Sequence, residues 1–177
     1  MCPKSDDKMK PNTWFGVTAR RSNVNIGMIV YSQTGNTRSV AEQLGSKLEA
    51  AGHGVTYEAV EVVGQAKPGG EVQFSAAPDP APYDAVVFGG QVHAFGLSPA
   101  MSAYVKQLGS LDGKRVACLI TQSFPFKWMG GNRAMRQMMA ALESAGANIV
   151  GSEIVNWMGS GLEERIANAT DALAKIF

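Results

Sequence analysis

The 177-residue chain holds only two cysteines and two histidines, and it lacks any long hydrophobic run. Cys2 lies near the amino terminus and Cys118 lies inside the apolar segment RVACLIT. A disulfide framework is therefore disfavoured, and Cys118 is interpreted as a buried structural thiol. His53 and His93 do not form a zinc-type ligand spacing. No apolar run approaches the roughly 20 residues that a membrane span needs.

The chain is also poor in net charge, which is +1 at pH 7. Residues 1–25 carry five basic and two acidic side chains, so the remainder is weakly acidic at −2. Such a body does not favour nucleic acid as a partner. We interpret residues 1–24 as a basic, flexible N-terminal extension and residues 25–177 as one domain. No apolar stretch follows the basic residues, so we expect no secretory signal and a cytoplasmic location.

The chain does contain a regular alternation of short apolar runs and amphipathic segments. The run IGMIVYS at 26–32 predicts a first strand, and residues 36–51 predict a helix that ends at Gly52. Four further strands are predicted at GVTYEAVEV, DAVVFGG, RVACLIT and NIVGSEIVNW. This alternation predicts an α/β fold in which a five-stranded parallel sheet is doubly wound and covered by helices on both faces.

Two stretches give more specific predictions about connections. Residues 64–83 contain four prolines where a crossover helix belongs, so we predict a long loop or a reduced helix there. Ser160 and Glu163 have the spacing of a capping box, which predicts that the last helix begins at Ser160.

The loop after the first predicted strand, SQTGNT, carries three hydroxyl side chains and a glycine. We predict that it binds a phosphate, because backbone N–H groups at a helix N-terminus attract anions and Ser32, Thr34 and Thr37 add hydroxyl groups. The loop lacks a Gly-Lys-Ser/Thr ending, which disfavours a nucleoside triphosphatase, and no G-x-G-x-x-G follows the strand. The alternative is a plain strand–helix turn capped by Thr34 or Asn36.

A second loop, GGQVHAFGLSP (89–99), follows another predicted strand. Gly89 and Gly90 are expected to let a flat ring approach the backbone, and Gly96 is expected to permit an unusual dihedral angle or a peptide flip. The residues expected to line one face of that ring are Val92, His93, Ala94 and Phe95. The alternatives are a surface histidine without a chemical task and a phenylalanine that only packs at the sheet edge.

A third loop, TQSFPFKWMGGN (121–132), holds three aromatic residues within five positions. Exposed aromatic clusters mark binding surfaces, and stacking on a flat ligand would explain them. Thr121 and Gln122 end the strand and are expected to hydrogen-bond that ligand. The alternative is a lid that covers only the protein's own core. Because loops at the carboxyl ends of parallel strands share one edge, the three loops are expected to form one site.

At these residues the chain resembles the flavodoxin family. YSQTGNTRSVAEQL (31–44) matches the family's phosphate-loop pattern, and YDAVVFGGQVHAF resembles the strand and loop that cover the flavin. The resemblance covers about residues 26–177, is similar to the short-chain form, and implies the sheet order 2-1-3-4-5 with FMN as cofactor. It implies that the FMN phosphate is held by Ser32, Gln33, Thr34, Gly35, Asn36 and Thr37. It implies that the ring is flanked by Gln91, Val92, His93, Ala94, Phe95, Gly96, Thr121, Gln122, Ser123 and Phe124, and more loosely by Trp128, Gly130 and Gly131.

The resemblance implies electron transfer through a non-covalently bound flavin, with no catalytic side chain and no metal. Two alternatives stay open. One is an FMN-dependent NAD(P)H oxidoreductase that acts on quinones or similar acceptors, and the other is a flavin-free interaction module on the same fold. The implied partner is a redox partner protein or NAD(P)H, and the chain is expected to be a monomer or a homodimer.

Overall fold

The computed structural model describes residues 23–177, so residues 1–22, which make up most of the predicted N-terminal extension, lie outside the described residues. In chain order the elements are β1 (Asn25–Val30), α1 (Asn36–Ala50), β2 (Gly54–Ala59), β3 (Glu61–Val62), β4 (Phe74–Ala76), β5 (Ala85–His93), β6 (Gly96–Leu97), α2 (Pro99–Gln107), β7 (Arg115–Gln122), α3 (Gly131–Ser144), β8 (Asn148–Asn156) and α4 (Leu162–Ala174).

The central sheet has the order β2-β1-β5-β7-β8, and all four pairings along it are parallel. The short strand β6 adds to β5 in the antiparallel direction. The prediction of a five-stranded parallel sheet in the order 2-1-3-4-5 is confirmed. Because the strands are parallel, the loops after β1, β5, β7 and β8 all leave from the same edge of the sheet.

Alternating side chains of the sheet pack into two separate cores, as expected for strands buried on both faces. Phe88 of β5 packs in the core that α2 and α3 cover, with Met138 of α3. Its neighbour Val87 packs in the opposite core, with Leu44 of α1 and Leu173 of α4. Cys118 is fully buried in β7, as predicted, and burial raises the pKa of its thiol to about 12.

The proline-rich connection between β2 and β5 contains no helix; it forms a long loop with the short antiparallel strands β3 and β4. This confirms the long-loop form of the prediction. The loop is fixed to α2 because the Tyr104 hydroxyl donates a hydrogen bond to the Pro78 carbonyl at 2.7 Å. The ring of Phe74 also packs edge-on against Tyr104 at 6.3 Å.

The prediction that Ser160 begins the last helix is wrong. Gly161 is the N-cap of α4 and adopts a left-handed conformation with φ of 75°, and no side chain caps the helix. The helix therefore begins after a turn rather than at a serine cap. The Ser160 carbonyl instead accepts a hydrogen bond from Arg165 at 2.6 Å.

None of the helices within residues 23–177 combines the length and the apolar character needed to cross a membrane. In the same part of the chain, no group of three or more His, Cys, Asp or Glu side chains is placed to hold a metal ion.

Candidate functional site

The loops after β1, β5 and β7 meet at the carboxyl edge of the sheet, as predicted. The Gln33 backbone N–H donates to the Gln91 side-chain oxygen at 3.0 Å, which joins the first loop to the second. Thr37 and Thr121 share a buried hydrogen bond of 2.7 Å between their hydroxyl groups, which joins the first loop to the third. The three loops therefore form one continuous surface.

The first loop presents a row of free backbone N–H groups. Gly35 is the N-cap of α1 with φ of 87°, and no side chain caps the helix. Among the described residues, no protein atom accepts a hydrogen bond from the backbone N–H groups of residues 34–37. The alternative of a turn capped by Thr34 or Asn36 is therefore not what the structure shows. Four successive free N–H groups at a positive helix end suit an anion.

The three hydroxyl groups of this loop have different surroundings. The Ser32 hydroxyl accepts a hydrogen bond from the Arg38 backbone N–H at 3.2 Å and keeps its own proton available. Thr34 is exposed, whereas Thr37 is fully buried and its hydroxyl is paired with Thr121. Thr37 therefore holds the loop in place, and the exposed donors are the amides with Ser32 and Thr34.

The second loop is a tight β-hairpin between β5 and β6, with Ala94 and Phe95 at its tip. Both residues have positive φ angles, 46° and 62°, which is the geometry that two-residue hairpins usually reserve for Asn and Gly. The left-handed conformation costs a residue with a Cβ atom roughly 1–2 kcal/mol. The hairpin tip is therefore strained where its side chains meet solvent.

The prediction that Gly96 adopts an unusual dihedral angle is wrong. Gly96 lies in β6, paired with His93, and the positive φ angles fall on the two preceding residues. A Cβ atom at this position would lie 3.0 Å from the side-chain oxygen of Gln137, so glycine lets that side chain pack closely against the hairpin. That oxygen accepts the Leu97 backbone N–H at 2.8 Å and fixes the hairpin to α3.

Gly89 and Gly90 do not open the backbone to a ligand ring, contrary to expectation. The strand β5 runs on to His93, so both glycines lie inside the sheet and are buried. A Cβ atom would lie 3.0 Å from Val30 at Gly89 and 3.1 Å from Met101 at Gly90. The protein's own side chains therefore fill the space that a ring would need.

Gln122 organises the third loop. It is buried at the end of β7, and its side-chain amide donates to the carbonyls of Phe124 and Phe126 at 2.8 Å each. Within the part of the chain that the structure describes, the other atom of this amide, the oxygen, is buried without a partner. A Cβ atom on Gly131 would collide with that oxygen, so glycine at this position leaves room for the Gln122 side chain.

The carboxyl edge carries a surface of exposed apolar side chains. Phe95 stacks on Phe124 with ring centroids 5.3 Å apart, and Phe126 stacks on Trp128 at 5.9 Å. Trp128 is 73% exposed, and Met158 of the loop after β8 is exposed beside these loops in the fold. A ring between two stacked partners needs about 7 Å, so the Phe95–Phe124 pair offers only its outer faces. Such a surface indicates ligand or partner binding.

The second and third loops are in direct contact. Gly130 has φ of 113°, and a Cβ atom there would lie 2.9 Å from the Phe95 Cα atom and from the Val92 side chain. The hairpin tip and the start of α3 therefore touch backbone to backbone. His93, Ala94 and Ser123 are all exposed around this contact.

A fourth loop, which sequence reasoning missed, follows β8 and closes the edge. Arg165 of α4 donates to the carbonyls of Asn156, Met158 and Ser160 at 3.0, 2.9 and 2.6 Å. The Asn156 amide in turn donates to the Pro125 carbonyl at 2.8 Å and so supports the aromatic loop. The glycines at 159 and 161, which follow a strand at the same edge, are the signal that could have indicated it.

The donor set fits a ligand with an anionic end and a flat apolar end. No Asp or Glu occurs in residues 31–37, 91–98 or 121–131, so these three loops carry no carboxylate that would repel an anion. Free amides lie at the α1 end and exposed aromatic rings lie over β5 and β7. A phosphorylated aromatic cofactor matches both halves of the surface.

Solved structures resemble this chain over most of its length. Oxidised flavodoxin 2 from Bacillus cereus has a TM-score of 0.63 at 21% identity, covering 86% of this chain and 99% of its own. A flavodoxin from Streptococcus pneumoniae TIGR4 has a TM-score of 0.60 at 16% identity, with coverage of 86% and 99%. A flavoprotein in complex with FMN from Lactobacillus acidophilus NCFM has a TM-score of 0.55 at 16% identity, with coverage of 74% and 93%. At these identities the likeness establishes a shared fold.

No curated protein matches the sequence. A family model described as a flavodoxin domain, however, matches residues 28–141, which include the loops after β1, β5 and β7. The match agrees with the sheet order, the free amides after β1 and the aromatic loops. The chain therefore belongs to the flavodoxin family.

Proposed function

We propose that the chain binds FMN non-covalently and passes electrons between redox partners through the flavin. Membership of the flavodoxin family supports FMN as the cofactor and electron transfer as the class of function. The observation that carries the proposal is the row of four backbone N–H groups at residues 34–37 that find no acceptor among the described residues.

The phosphate would be held by these amides and by the hydroxyls of Ser32 and Thr34. A hydrogen bond to a charged group contributes roughly 1.5–3 kcal/mol, so a few of them hold a dianion without a lysine. Thr37 would act indirectly, since its hydroxyl fixes the loop to Thr121 in the core. Arg38 adds little charge, because it pairs with Glu42 at 2.7 Å.

The ring would lie against the aromatic surface of the second and third loops. One outer face of the stacked Phe95–Phe124 pair would stack on it and exclude water. The surrounding residues, from Gln91 to Gly96 and from Thr121 to Phe124, would set its position. Trp128 and the glycines at 130 and 131 would bound the same surface. Bound FMN supplies the redox chemistry, and the protein supplies binding and orientation.

The direct test is a titration of the apoprotein with FMN and, separately, with riboflavin, followed by calorimetry and by visible absorption. We expect FMN to bind at least about tenfold more tightly than riboflavin, because only FMN reaches the free amides. Equal affinities would contradict the phosphate assignment. A protein that binds neither compound would be a flavin-free interaction module instead.

A second function, reduction of FMN by NAD(P)H with quinones or similar acceptors, is favoured by one observation. Three basic side chains, Lys67, Lys106 and Arg133, line a cavity that borders the hairpin after β5. Steady NADPH oxidation by the purified holoprotein with a soluble quinone would support this function. Reduction of the holoprotein only in the presence of a partner reductase would support the carrier function.

A further inference from the structure

The cavity beside the hairpin has a volume of about 430 Å³ and is lined by three basic side chains. Its basic side chains come from three separate segments: Lys67 from the loop between β3 and β4, Lys106 from the last turn of α2 and Arg133 from the first turn of α3. No Asp or Glu lines it, and Glu71, in the same loop as Lys67, is not part of its wall.

Within residues 23–177, no ion pair or hydrogen bond involves the side chains of these three basic residues. Among the described residues the ion pairs are Arg38–Glu42 and Lys47–Asp171, and neither involves the cavity. Converging like charges repel one another and create a positive potential that a bound anion would relieve. The volume lies within the range of small-molecule sites, and a concave wall suits a small ligand better than a flat macromolecular surface.

The position of Arg133 is a second, independent sign of an anion. The first turn of α3 contains no acidic residue, and Arg133 places a positive charge at the positive end of the helix. The helix dipole disfavours a cation there. An anion in the cavity would interact favourably with both the helix end and the side chain. Pro99 and Ser102 of the first turn of α2 also line the cavity.

We propose that this cavity binds a small multivalent oxyanion, a molecule that carries at least two phosphate or carboxylate groups. His93, Ala94 and Gly96 form the wall between the cavity and the aromatic surface. A ligand held there would therefore lie against the back of the hairpin. Because this wall separates the ligand from the aromatic surface, binding of the oxyanion does not depend on the proposed function.

The test measures binding of pyrophosphate, citrate and NADPH to the full chain by calorimetry at low salt, with excess FMN present so that the proposed phosphate site at residues 34–37 is not open to the probes. We expect at least one probe to bind, with an affinity that falls as salt is added. Arg133→Gln should weaken that binding by about tenfold, the loss typical of one charge-assisted contact. Arg136→Gln is the matched control, because Arg136 is exposed on the same helix but does not line the cavity; it should change the affinity less than about twofold.

The three probes distinguish the sources of the charge. Tighter binding of pyrophosphate than of citrate would indicate that the cavity takes a phosphate ligand. Tighter binding of citrate would indicate a carboxylate ligand. Tighter binding of NADPH than of pyrophosphate assigns a dinucleotide. Failure of all three to bind, or equal losses in Arg133→Gln and Arg136→Gln, would overturn the proposal.

The FMN affinity of the same variants separates this proposal from the proposed function. Arg133→Gln should leave FMN binding unchanged, because residues 34–37 lie outside the cavity. Oxyanion binding by a protein that takes up no FMN would leave the cavity proposal standing and remove the flavin. FMN binding without oxyanion binding would overturn the cavity proposal and leave the proposed function standing.

Discussion

The loop after β1 and the hairpin after β5 lie side by side, yet they reach their shapes by different means. The first uses glycine where φ is positive: Gly35 has φ of 87°, and nothing lies within 4 Å of the position of a Cβ atom. The second uses Ala94 and Phe95 in the same region of conformational space. The first loop is therefore relaxed, whereas the hairpin is strained.

This difference matches what each loop offers to a ligand. The loop after β1 offers backbone N–H groups, so its side chains are small and its backbone needs freedom. The hairpin offers the ring of Phe95, and this residue has a positive φ angle, a geometry that favours glycine. Strain at a side chain that binds is a recurring property of functional sites.

The largest expected effect comes from a negative charge in the relaxed loop. Thr34→Asp should lower FMN affinity about 100-fold, because its carboxylate would repel the phosphate and occupy the free amides. Riboflavin affinity should fall far less. The same carboxylate should raise the melting temperature of the apoprotein, since a negative charge beside the N-terminus of α1 interacts favourably with the helix dipole. Calorimetry and thermal unfolding measure these effects.

Gln43→Glu is the matched control for that charge, because Gln43 is exposed on the same helix and lies two turns away. It should leave both affinities nearly unchanged. Equal losses of FMN in the two variants would show that the effect is long-range repulsion and not a contact at residues 34–37.

The next effect concerns how the relaxed loop is attached to the core. Thr37→Val should destabilise the protein by about 1–3 kcal/mol, because it leaves the Thr121 hydroxyl buried without a partner. The double variant Thr37→Val with Thr121→Val should cost less than the two single changes together. Urea unfolding of all four proteins gives the coupling, and additive losses would refute it.

The strained hairpin predicts a change of opposite sign. Ala94→Gly should stabilise the protein by roughly 0.5–1 kcal/mol, since glycine adopts a positive φ angle without penalty. Ala140→Gly, at an exposed position in α3, should destabilise it by about 1 kcal/mol. Changes of opposite sign in the free energy of unfolding for Ala94→Gly and Ala140→Gly would confirm the strain. Destabilisation by both substitutions would contradict it.

The smallest effect on stability is expected at the aromatic loop. Trp128→Ala should change the free energy of unfolding by less than about 0.5 kcal/mol, because its ring is exposed and stacks only on Phe126. The fluorescence of bound FMN should nevertheless change. Met158→Ala serves as a control from the neighbouring loop, and an unchanged flavin emission in Trp128→Ala would remove Trp128 from the site.

The sequence predicted the fold and the convergence of the loops, because both depend on local patterns. Apolar runs such as IGMIV identify buried strands, and Gly52 ends α1 with φ of 94° as expected. Parallel pairing then places every strand-to-helix loop on one edge. The loop predicted to bind a phosphate could be singled out for the same reason, since its hydroxyl residues and Gly35 lie within six successive positions.

The details that failed depend on contacts between distant residues. The space beside Gly96 is filled by Gln137 of α3, and the space beside Gly90 is filled by Met101 of α2. Neither packing contact can be predicted from the residues next to these glycines in sequence. The two left-handed residues, Ala94 and Phe95, are unfavourable choices for a tight hairpin, and local preference pointed to the glycine beside them.

Arg165 lies nine positions after the first carbonyl that it binds, and its three nitrogens together reach four carbonyls between residues 156 and 160. The planar guanidinium group of Arg165, on the next helix, thus holds the backbone after β8 in one conformation. Surface connections usually tolerate insertions and deletions. This connection has a fixed length, since adding or removing a residue between positions 156 and 165 would move the Arg165 guanidinium group away from the carbonyls that it binds. The same change would separate the Asn156 side-chain amide from the aromatic loop.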